Sequence, residues 1–304
     1  RIYSIIVRVG VFEKFRKRHL SLTNKYYPGS DLSELNKIFD VFYVGSDQVW
    51  RPSMTGGLLP HYYLDFADDE KLKIAYAASF GTSQWEGTDE QNAMLRPLIK
   101  RFNHISVREV EGIEICDKIF NVNAVHVLDP TLLLDENGYS TILNEFKNDI
   151  IKNNKYIGAY LLTDPTLKAG HALSASEQTK LKVINLYGHK INILGREFLR
   201  FRKVEEWLNG IKNASFVITD SYHCIIFCII MGVNFVCLPN ERGGTTRIKN
   251  LLNIIGLENR FCVDKEIDFG NYYSKGIDFA SIYERLKPFQ NKSLAYLSDA
   301  LRTI

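Results

Sequence analysis

The stretch SFVITDSYHCIIFCIIMGVNFVCL, residues 215–238, decides the fold class of this chain. Its two ends, Ser215–Thr219 and Asn234–Leu238, consist mainly of β-branched, aromatic and other apolar residues, which is typical of buried strands. Between them, residues 222–231 form an apolar run with the length of a short helix. A strand, a helix and a second strand in this order predict a βαβ unit and therefore a parallel sheet.

The same alternation of short apolar runs and amphipathic segments extends over most of the chain. Further strands are predicted at Val41–Gly45, Lys73–Ser79, His104–Val107, Ala124–Leu128, Tyr156–Leu161 and Lys190–Leu194. Further helices are predicted at Asp89–Arg101 and Glu109–Ile119, and near residues 176–187, 203–213 and 246–255. The pattern predicts two α/β blocks with mainly parallel sheets, in which ligands bind at the carboxyl ends of the strands.

A polar, charged segment, Asn144–Lys155, separates the two blocks. We therefore predict an N-terminal domain over residues 1–147 and a C-terminal domain over residues 148–280. Residues 281–304 alternate apolar and charged side chains. They are predicted to be helical after Pro288 and to pack back on the N-terminal domain.

Composition excludes several classes of protein. The 304 residues are 45% hydrophobic and 24% charged, which is typical of a soluble globular protein and excludes a disordered chain. With 38 Lys and Arg against 35 Asp and Glu, the net charge is only +3, so no nucleic-acid partner is expected. The longest apolar stretch, Cys224–Leu238, is too short to span a membrane. The basic run Lys14–His19 is interpreted as a solvated helix face that allows at most peripheral membrane association.

The five cysteines and seven histidines also limit the chemistry. The cysteines are odd in number and form no CxxC pair, so they are predicted to be buried thiols in a reducing, cytoplasmic compartment. The histidines are scattered along the chain, and no metal site is predicted.

Four polar turns at predicted strand ends are candidates for a functional site. The first is Gly45-Ser46-Asp47, where backbone N–H groups and one carboxylate would be exposed to a ligand. The alternative is a plain turn in which Asp47 caps the next segment. The second is Arg108-Glu109, where a guanidinium could bind a carboxylate or a phosphate. The alternative is an exposed Arg–Glu ion pair.

The third turn, Thr219-Asp220-Ser221-Tyr222-His223, opens the apolar helix of the βαβ unit. A helix N-terminus suits an anionic phosphate, and His223 in the first turn could contact it or transfer a proton. The alternative is an N-cap by Asp220 or Ser221 with a core histidine behind it.

The fourth turn runs from Asn240 to Arg247 and contains Arg242, Gly243 and Gly244. Its paired glycines allow close approach of the backbone, and its arginines could hold an anion. The alternative is a flexible loop with a glycine turn. Four such turns at strand ends favour an anionic small-molecule donor.

Six motifs in order resemble those of the polysaccharide pyruvyl transferase family, over about Phe12 to Phe261. They are GSDQVW at 45–50, YAASFG at 76–81, SVRE at 106–109, LDPTLLL at 128–134, TDSYH at 219–223 and NERGGTTRIKNLL at 240–252. The resemblance implies an α/β protein with two Rossmann-like domains that face a cleft, in a GT-B-like fold. In such a protein the first strand and loop of the N-terminal domain would precede Arg1.

The resemblance also implies the reaction. Family members transfer the pyruvyl group of phosphoenolpyruvate onto two hydroxyls of a sugar, in a polysaccharide or its lipid-linked precursor. The product is a pyruvate ketal, and no cofactor is required. Alternative interpretations are a nucleotide-sugar glycosyltransferase of the GT-B class and a non-catalytic descendant of the family. Cys224, where relatives commonly carry glycine, is one departure from the family pattern.

Roles for individual residues follow from the same resemblance. Arg108 is expected to bind the carboxylate or phosphate of the donor, His223 to contact its phosphate or deliver a proton, and Asp47 to accept a hydroxyl proton. Arg108, on the acceptor side, and His223, on the donor-phosphate side, are expected to bind one anion. The full set of expected donor-binding residues is Gly45, Ser46, Arg108, Thr219, Asp220, Ser221, His223, Asn240, Arg242, Gly243 and Gly244.

Overall fold

The structure is a computed structural model that describes residues 2–146, 155–163, 165–193, 196–240, 245–264 and 266–302. Its strands are β1 (Val41–Val44), β2 (Leu72–Ala78), β3 (His104–Val107), β4 (Val125–His126), β5 (Tyr156–Tyr160), β6 (Lys182–Asn185), β7 (Gly188–Ile193), β8 (Arg196–Phe201), β9 (Phe216–Thr219) and β10 (Phe235–Cys237). Its α-helices are α1 (Ile2–His19), α2 (Pro52–Thr55), α3 (Asp89–Ile99), α4 (Val110–Ile115), α5 (Ser140–Asn144), α6 (Pro165–Thr179), α7 (Val204–Lys212), α8 (Tyr222–Ile230), α9 (Thr245–Ile255), α10 (Phe269–Ser274) and α11 (Phe279–Leu301).

The chain divides into two units, each built around one parallel sheet. The sheet-1 unit comprises Lys25–Leu133, Gly243–Gly256 and Ala280–Ile304. The sheet-2 unit comprises Arg1–Asn24, Leu134–Arg242 and Leu257–Phe279. This division differs from the predicted boundary at 147/148, because α1 clusters with the sheet-2 unit and α9 with the sheet-1 unit.

Sheet 1 has the strand order β1-β2-β3-β4, with every neighbouring pair parallel. Its central strand β2 is buried along nearly its whole length, as expected for a parallel sheet covered on both faces. A cluster of aromatic rings lies in the core beside it. The fully buried Trp50 stacks on Tyr63 with 5.1 Å between ring centroids, and its indole N–H donates to the Tyr62 carbonyl at 2.9 Å.

Helix α11 packs against sheet 1 through hydrogen bonds as well as apolar contacts. Ser293 is fully buried, and its Oγ accepts the backbone N–H of Leu128 at 3.0 Å. The Tyr296 hydroxyl donates to the Ala75 carbonyl at 2.9 Å. The sequence predicts that this helix begins after Pro288, but it begins nine residues earlier, at Phe279, and Pro288 lies inside it. Pro288 lies on the exposed side of the helix, where water can bond the carbonyl that proline leaves free.

Sheet 2 has the strand order β10-β9-β5-β6, again all parallel. The predicted βαβ unit is present as β9, α8 and β10. Residues Cys224–Ile230 of α8 are all buried, which explains why its sequence is apolar on every side.

One sequence-based prediction in the second half is wrong, and another holds only in part. The helix predicted near residues 176–187 ends at Thr179, because Lys180 takes a left-handed conformation with φ of 59°. The strand predicted at Lys190–Leu194 is present as β7, but it pairs with β8 in an antiparallel ribbon and belongs to neither parallel sheet.

Two predictions from composition concern thiols and membrane spans. All five cysteines are buried and free of disulfide bonds. Across the residues that the structure describes, no helix is both long enough and apolar enough to cross a membrane.

Replacing Ser293 by alanine should lower the free energy of unfolding by about 1–3 kcal/mol, because the buried N–H of Leu128 would lose its partner. Ser298 on the same helix is exposed, so Ser298→Ala should change stability by less than about 0.5 kcal/mol. Urea unfolding of both variants measures the difference. Equal stabilities would show that the Ser293 hydrogen bond does not hold α11 on the sheet.

Candidate functional site

The turn after β1 carries Gly45, Ser46 and Asp47 at the carboxyl end of sheet 1. Asp47 has a φ of 80°, in the left-handed region that aspartate adopts more readily than most residues. Its carbonyl accepts hydrogen bonds from the backbone N–H groups of Ser79 at 3.0 Å and Val49 at 2.7 Å. The backbone of the turn is therefore held in place, while the Asp47 side chain is 62% exposed.

Arg108 follows β3, and only 1% of its side chain is exposed. Its Nη1 donates to Asp129 Oδ2 at 2.6 Å and to Ser46 Oγ at 3.2 Å. Its Nη2 lies 3.4 Å from Asp47 Oδ1. Because β1, β3 and β4 end at the same edge of sheet 1, residues that are far apart in sequence meet around one guanidinium.

A second arginine joins this group from α9. Arg247 lies in the first turn of that helix, and its Nη1 is also 3.4 Å from Asp47 Oδ1. Asn250 of α9 donates to Glu111 Oε2 at 2.7 Å, and this bond fastens the helix within the sheet-1 unit. We call Ser46, Asp47, Arg108, Asp129 and Arg247 the Arg108 cluster.

The alternative interpretation of Arg108 and Glu109 as an exposed ion pair is wrong. The two residues are only 4% and 1% exposed. Arg108 hydrogen-bonds Asp129, and Glu109 accepts a hydrogen bond from the Ser79 hydroxyl. The buried charge pair between Arg108 and Asp129 requires good geometry and further hydrogen bonds, which Ser46 and the Thr131 backbone N–H supply.

Glu109 is a buried carboxyl beside the cluster. Burial raises the pKa of Glu109, while the positive charges of Arg108 and Arg247 and the Ser79 hydrogen bond oppose that rise. The direction is upward because removing a carboxylate from water disfavours its charged form. Glu109 therefore holds its proton to a higher pH than an exposed glutamate does.

Breaking the buried pair should be costly. Asp129→Asn should lower the free energy of unfolding by about 3 kcal/mol, because the buried Arg108 charge would lose its closest counter-charge. The matched control is Glu114→Gln, which breaks an exposed pair with Lys118 and should cost less than about 0.5 kcal/mol. Chemical unfolding at neutral pH measures both. A cost for Asp129→Asn as small as that of the control would contradict the importance of the pair.

Glu109→Gln should change how stability depends on pH. A raised pKa in the folded state means that the folded protein binds the Glu109 proton more tightly than the unfolded chain does. Wild-type stability should therefore fall relative to the variant as pH rises above the ordinary carboxyl value of 4.5. Thermal unfolding between pH 4 and pH 8 measures the difference. A wild-type advantage that grows with pH would mean that Glu109 ionises more readily in the folded state.

The Thr219–His223 segment forms the turn between β9 and α8 in the sheet-2 unit. Thr219 is fully buried, and its hydroxyl donates to the Tyr160 carbonyl at 2.8 Å and accepts the Ser221 N–H at 3.0 Å. Ser221 is the N-cap residue of α8, yet its side chain makes no capping hydrogen bond within the described part of the chain. The alternative interpretation was an N-cap by Asp220 or Ser221, and the Ser221 side chain does not supply that cap.

Asp220 and Asn240 shape the same edge of sheet 2. The Asp220 carboxylate is 1% exposed and accepts the backbone N–H groups of Leu162 at 2.7 Å and Thr163 at 2.9 Å, together with the Thr163 hydroxyl at 2.6 Å. Asn240 Nδ2 donates to the Asp220 carbonyl at 3.2 Å. These bonds tie together the loops that follow β5, β9 and β10. Donor binding by Thr219, Asp220, Ser221 and Asn240 stays a prediction.

His223 lines a cavity of about 270 Å³ within the sheet-2 unit. Aromatic rings form most of its wall, with Trp207 at 5.3 Å from Tyr160 and 5.4 Å from Phe227 between ring centroids. Arg202 and Lys203 add cationic groups. Apolar walls with a few polar groups are typical of small-molecule sites.

The structure leaves three predicted residues untested. Arg242, Gly243 and Gly244 lie outside the described residues. The predicted binding of one anion by Arg108 and His223 also stays a prediction, since these residues belong to different units.

One group of possible metal ligands occurs among the described residues, namely His19, Glu145 and Glu205. Arg18 Nη1 donates to Glu145 at 2.5 Å and to Glu205 at 2.7 Å. The guanidinium therefore already supplies a positive charge to both carboxylates, which accounts for their closeness without a metal ion.

Comparison with known proteins decides the family. A family model described as polysaccharide pyruvyl transferase matches residues 3–242. The chain belongs to the polysaccharide pyruvyl transferase family. Among curated protein sequences, none is similar enough to count as a match.

Two solved structures match this pyruvyl transferase family member, and one of them bears on its fold. It is similar to a Listeria monocytogenes protein provisionally assigned as a UDP-N-acetylglucosamine 2-epimerase, with 14% identity, a TM-score of 0.50, and coverage of 94% of this chain and 83% of that one. It also matches a Thermobaculum terrenum O-GlcNAc transferase mutant, K341M, at 13% identity, with a TM-score of 0.38 and coverage of 92% and 56%. The likeness to the epimerase-type protein confirms the predicted class, a mixed α/β protein of the GT-B type with parallel sheets.

Sequence reasoning missed two residues of the site region in this family member. Asp129 lies in the LDPTLLL motif, but its pairing with Arg108 depends on the parallel alignment of β3 and β4. Glu109 is predicted only as a possible surface partner of Arg108, since its burial leaves no local mark in the sequence. Arg247 is one of the arginines that the sequence predicts as able to hold an anion, but its contact with Asp47 depends on α9 clustering with the sheet-1 unit.

Proposed function

We propose that this family member transfers the pyruvyl group of phosphoenolpyruvate onto two hydroxyls of a sugar, in a polysaccharide or its lipid-linked precursor. The observation that carries the proposal is the buried guanidinium of Arg108 beside the exposed carboxylate of Asp47, at the carboxyl edge of sheet 1. A planar fork of donors suits the carboxylate or phosphate of the donor. An exposed carboxylate next to it suits a base for a hydroxyl group.

The proposed reaction consists of an addition followed by a substitution. The first sugar hydroxyl adds to C2 of the enol while C3 gains a proton, so the hydroxyl proton is balanced by the new methyl C–H bond. The second hydroxyl then displaces phosphate from C2 and closes the ketal, and its proton leaves with the phosphate. No electrons enter or leave the reactants overall, so the proposal needs no redox cofactor.

Each proposed role matches the surroundings of its residue. Arg108 binds the anionic end of the donor, because Asp129 and Ser46 hold its guanidinium in one orientation. Asp47 accepts the proton of an attacking hydroxyl. His223, in the first turn of α8, contacts the donor phosphate or delivers a proton, which suits an imidazole near neutral pH.

The aromatic cavity beside His223 suits part of the acceptor in this proposal, which departs from the expectation that the acceptor lies on the Arg108 side. Sugar rings have apolar C–H faces that pack on aromatic rings, and Tyr160, Trp207 and Phe227 offer such surfaces. We further propose a cytoplasmic location, because five buried, unbridged thiols suit a reducing compartment.

The direct test incubates the protein with phosphoenolpyruvate and a panel of free and lipid-linked saccharides. Phosphate release together with a new ketal methyl signal by NMR would support the proposal, and deuterium from the solvent should enter that methyl group. Turnover of nucleotide-sugars instead would favour a glycosyltransferase. Binding of saccharides without turnover of either donor would favour a non-catalytic descendant.

Arg108→Lys and His223→Ala should each lower kcat/KM by about 10²–10³, as expected when one well-placed hydrogen-bond donor to a transition state is lost. Lysine keeps a positive charge beside Asp129 but loses the planar fork, so the first variant should remain folded. His171→Ala is the matched control in the sheet-2 unit, where His171 contacts Phe269 outside the aromatic cavity. Normal turnover by both variants, with lowered melting temperatures, would assign these residues a structural role only.

A further inference from the structure

Strand β2 ends in an irregular backbone next to the Asp47 turn. Its pairing with β3 shifts register between Ala75 and Ala78, and Ala77 has a φ of 51°, in the left-handed region that alanine rarely adopts. Bulges of this kind are common beside active sites. A strained backbone persists only where its surroundings hold it. The position of Ser79, which follows the bulge, therefore depends on side-chain contacts as well as on the strand ladder.

Ser79 links the bulge to the Asp47 turn. It is fully buried, and its backbone N–H donates to the Asp47 carbonyl at 3.0 Å. Its own carbonyl accepts the Trp50 N–H at 3.2 Å. Its hydroxyl accepts the Gly81 N–H at 3.1 Å and donates to Glu109 Oε1. A displacement of Ser79 would thus displace the backbone of the turn that carries Asp47.

Glu109 contacts Ser79 from the end of β3. Its backbone is extended, with φ of −110° and ψ of 143°, so its side chain and that of the preceding Arg108 point to opposite sides. Arg108 contacts the side chains of Ser46 and Asp47. By contrast, Glu109 contacts Ser79, which bonds the backbone of the same turn. Two consecutive residues therefore hold the turn, one through its side chains and one through its backbone.

We propose that Glu109 is a positioning residue for the reaction, which fixes the backbone of the Asp47 turn through Ser79. This inference rests on the proposed function, in which Asp47 is the base. Glu109 is only 1% exposed, so it acts through Ser79 and not by contact with the reactants. A base must lie within hydrogen-bond reach of the proton that it accepts, and a small displacement of a catalytic group is costly.

Glu109→Met tests the link, because methionine has a similar length but offers no oxygen to the Ser79 hydroxyl. It should lower kcat for ketal formation about tenfold or more. KM for phosphoenolpyruvate should change less than about threefold, because Arg108 keeps its bonds to Asp129 and Ser46. Glu109→Gln keeps a carbonyl oxygen for the hydroxyl and should hold kcat within about threefold of wild type.

Ser79→Ala is a milder variant, since it removes the hydroxyl and keeps the backbone hydrogen bonds. It should lower kcat in the same way as Glu109→Met. The double variant should be no slower than the slower single variant, because the two side chains form one link. Glu114→Met is the matched control in α4, the helix that follows Glu109, where Glu114 is 66% exposed. It should leave kcat unchanged.

An Asp47→Asn background separates positioning of the base from a general effect on the fold. Asparagine tolerates a positive φ, so the turn should keep its shape. Once the base is removed, its position no longer matters. Glu109→Met should then lower the residual kcat by less than about twofold, whereas it costs about tenfold or more when Asp47 is present.

Amide hydrogen exchange tests the link without turnover. The N–H groups of Ser79, Trp50 and Gly81 all take part in the bonds around Ser79. Their exchange should be about tenfold or more faster in Glu109→Met than in wild type, because the local structure opens more often. Exchange in Glu114→Met should match wild type.

Four results would overturn the inference. Wild-type exchange in folded Glu109→Met and Ser79→Ala would show that Glu109 does not hold the turn. Wild-type kcat in the same variants would show that the reaction does not need this anchor. A kcat for Glu109→Gln as low as that for Glu109→Met would reject the hydrogen bond as the link. An equal loss of kcat in the Asp47→Asn background would mean that Glu109 does not act through Asp47.

The exchange measurements distinguish this inference from the proposed function. Faster exchange in Glu109→Met, together with no ketal formation by the wild-type protein, would leave the Glu109–Ser79 link standing and reject the proposed function alone.

Discussion

The buried ion pair between Arg108 and Asp129 is the interaction on which the candidate site depends. Each side chain is 1% exposed, and their atoms approach to 2.6 Å. The attraction between two buried charges offsets the cost of removing them from water only when their geometry is good and their other polar groups are hydrogen-bonded. Ser46 meets part of that demand, since its hydroxyl contacts both partners. The orientation of the guanidinium is thus set before any ligand arrives, and its Nη2 is directed at Asp47.

Parallel strand pairing explains how such a cluster can form from distant residues. Each strand of sheet 1 ends at the same edge, so the residues just beyond β1, β3 and β4 meet without a dedicated loop. The same rule operates in sheet 2, where the Asp220 carboxylate joins the loops after β5 and β9. The two edges use their acids differently. The buried Asp220 carboxylate accepts hydrogen bonds from two backbone N–H groups, whereas most of the Asp47 side chain is exposed to solvent.

The strand–helix alternation and the polar turns at strand ends could be predicted from the sequence, because both depend on local patterns of residue type. The burial of Arg108 and Glu109 could not be predicted, because an Arg-Glu sequence is the same whether the two side chains are buried or exposed. Helix α6 ends before Lys180, which adopts a left-handed conformation that is usually found at glycine. Because the residue is a lysine, the sequence gives no sign that the helix ends there. The contact between Arg247 and Asp47 joins residues 200 positions apart, and only the clustering of α9 with sheet 1 creates it.

The sheet-1 unit is assembled from three separate segments of the chain, and this has a consequence for its synthesis. Residues 25–133 are synthesised before Ser293 and Tyr296, which bond Leu128 just after β4 and Ala75 in the middle of β2. The sheet-2 segment between them can fold as soon as it is complete. Until α11 has been synthesised, the part of sheet 1 that this helix covers is exposed to solvent. Folding of sheet 1 is therefore expected to reach completion only after the helix α11 has been synthesised.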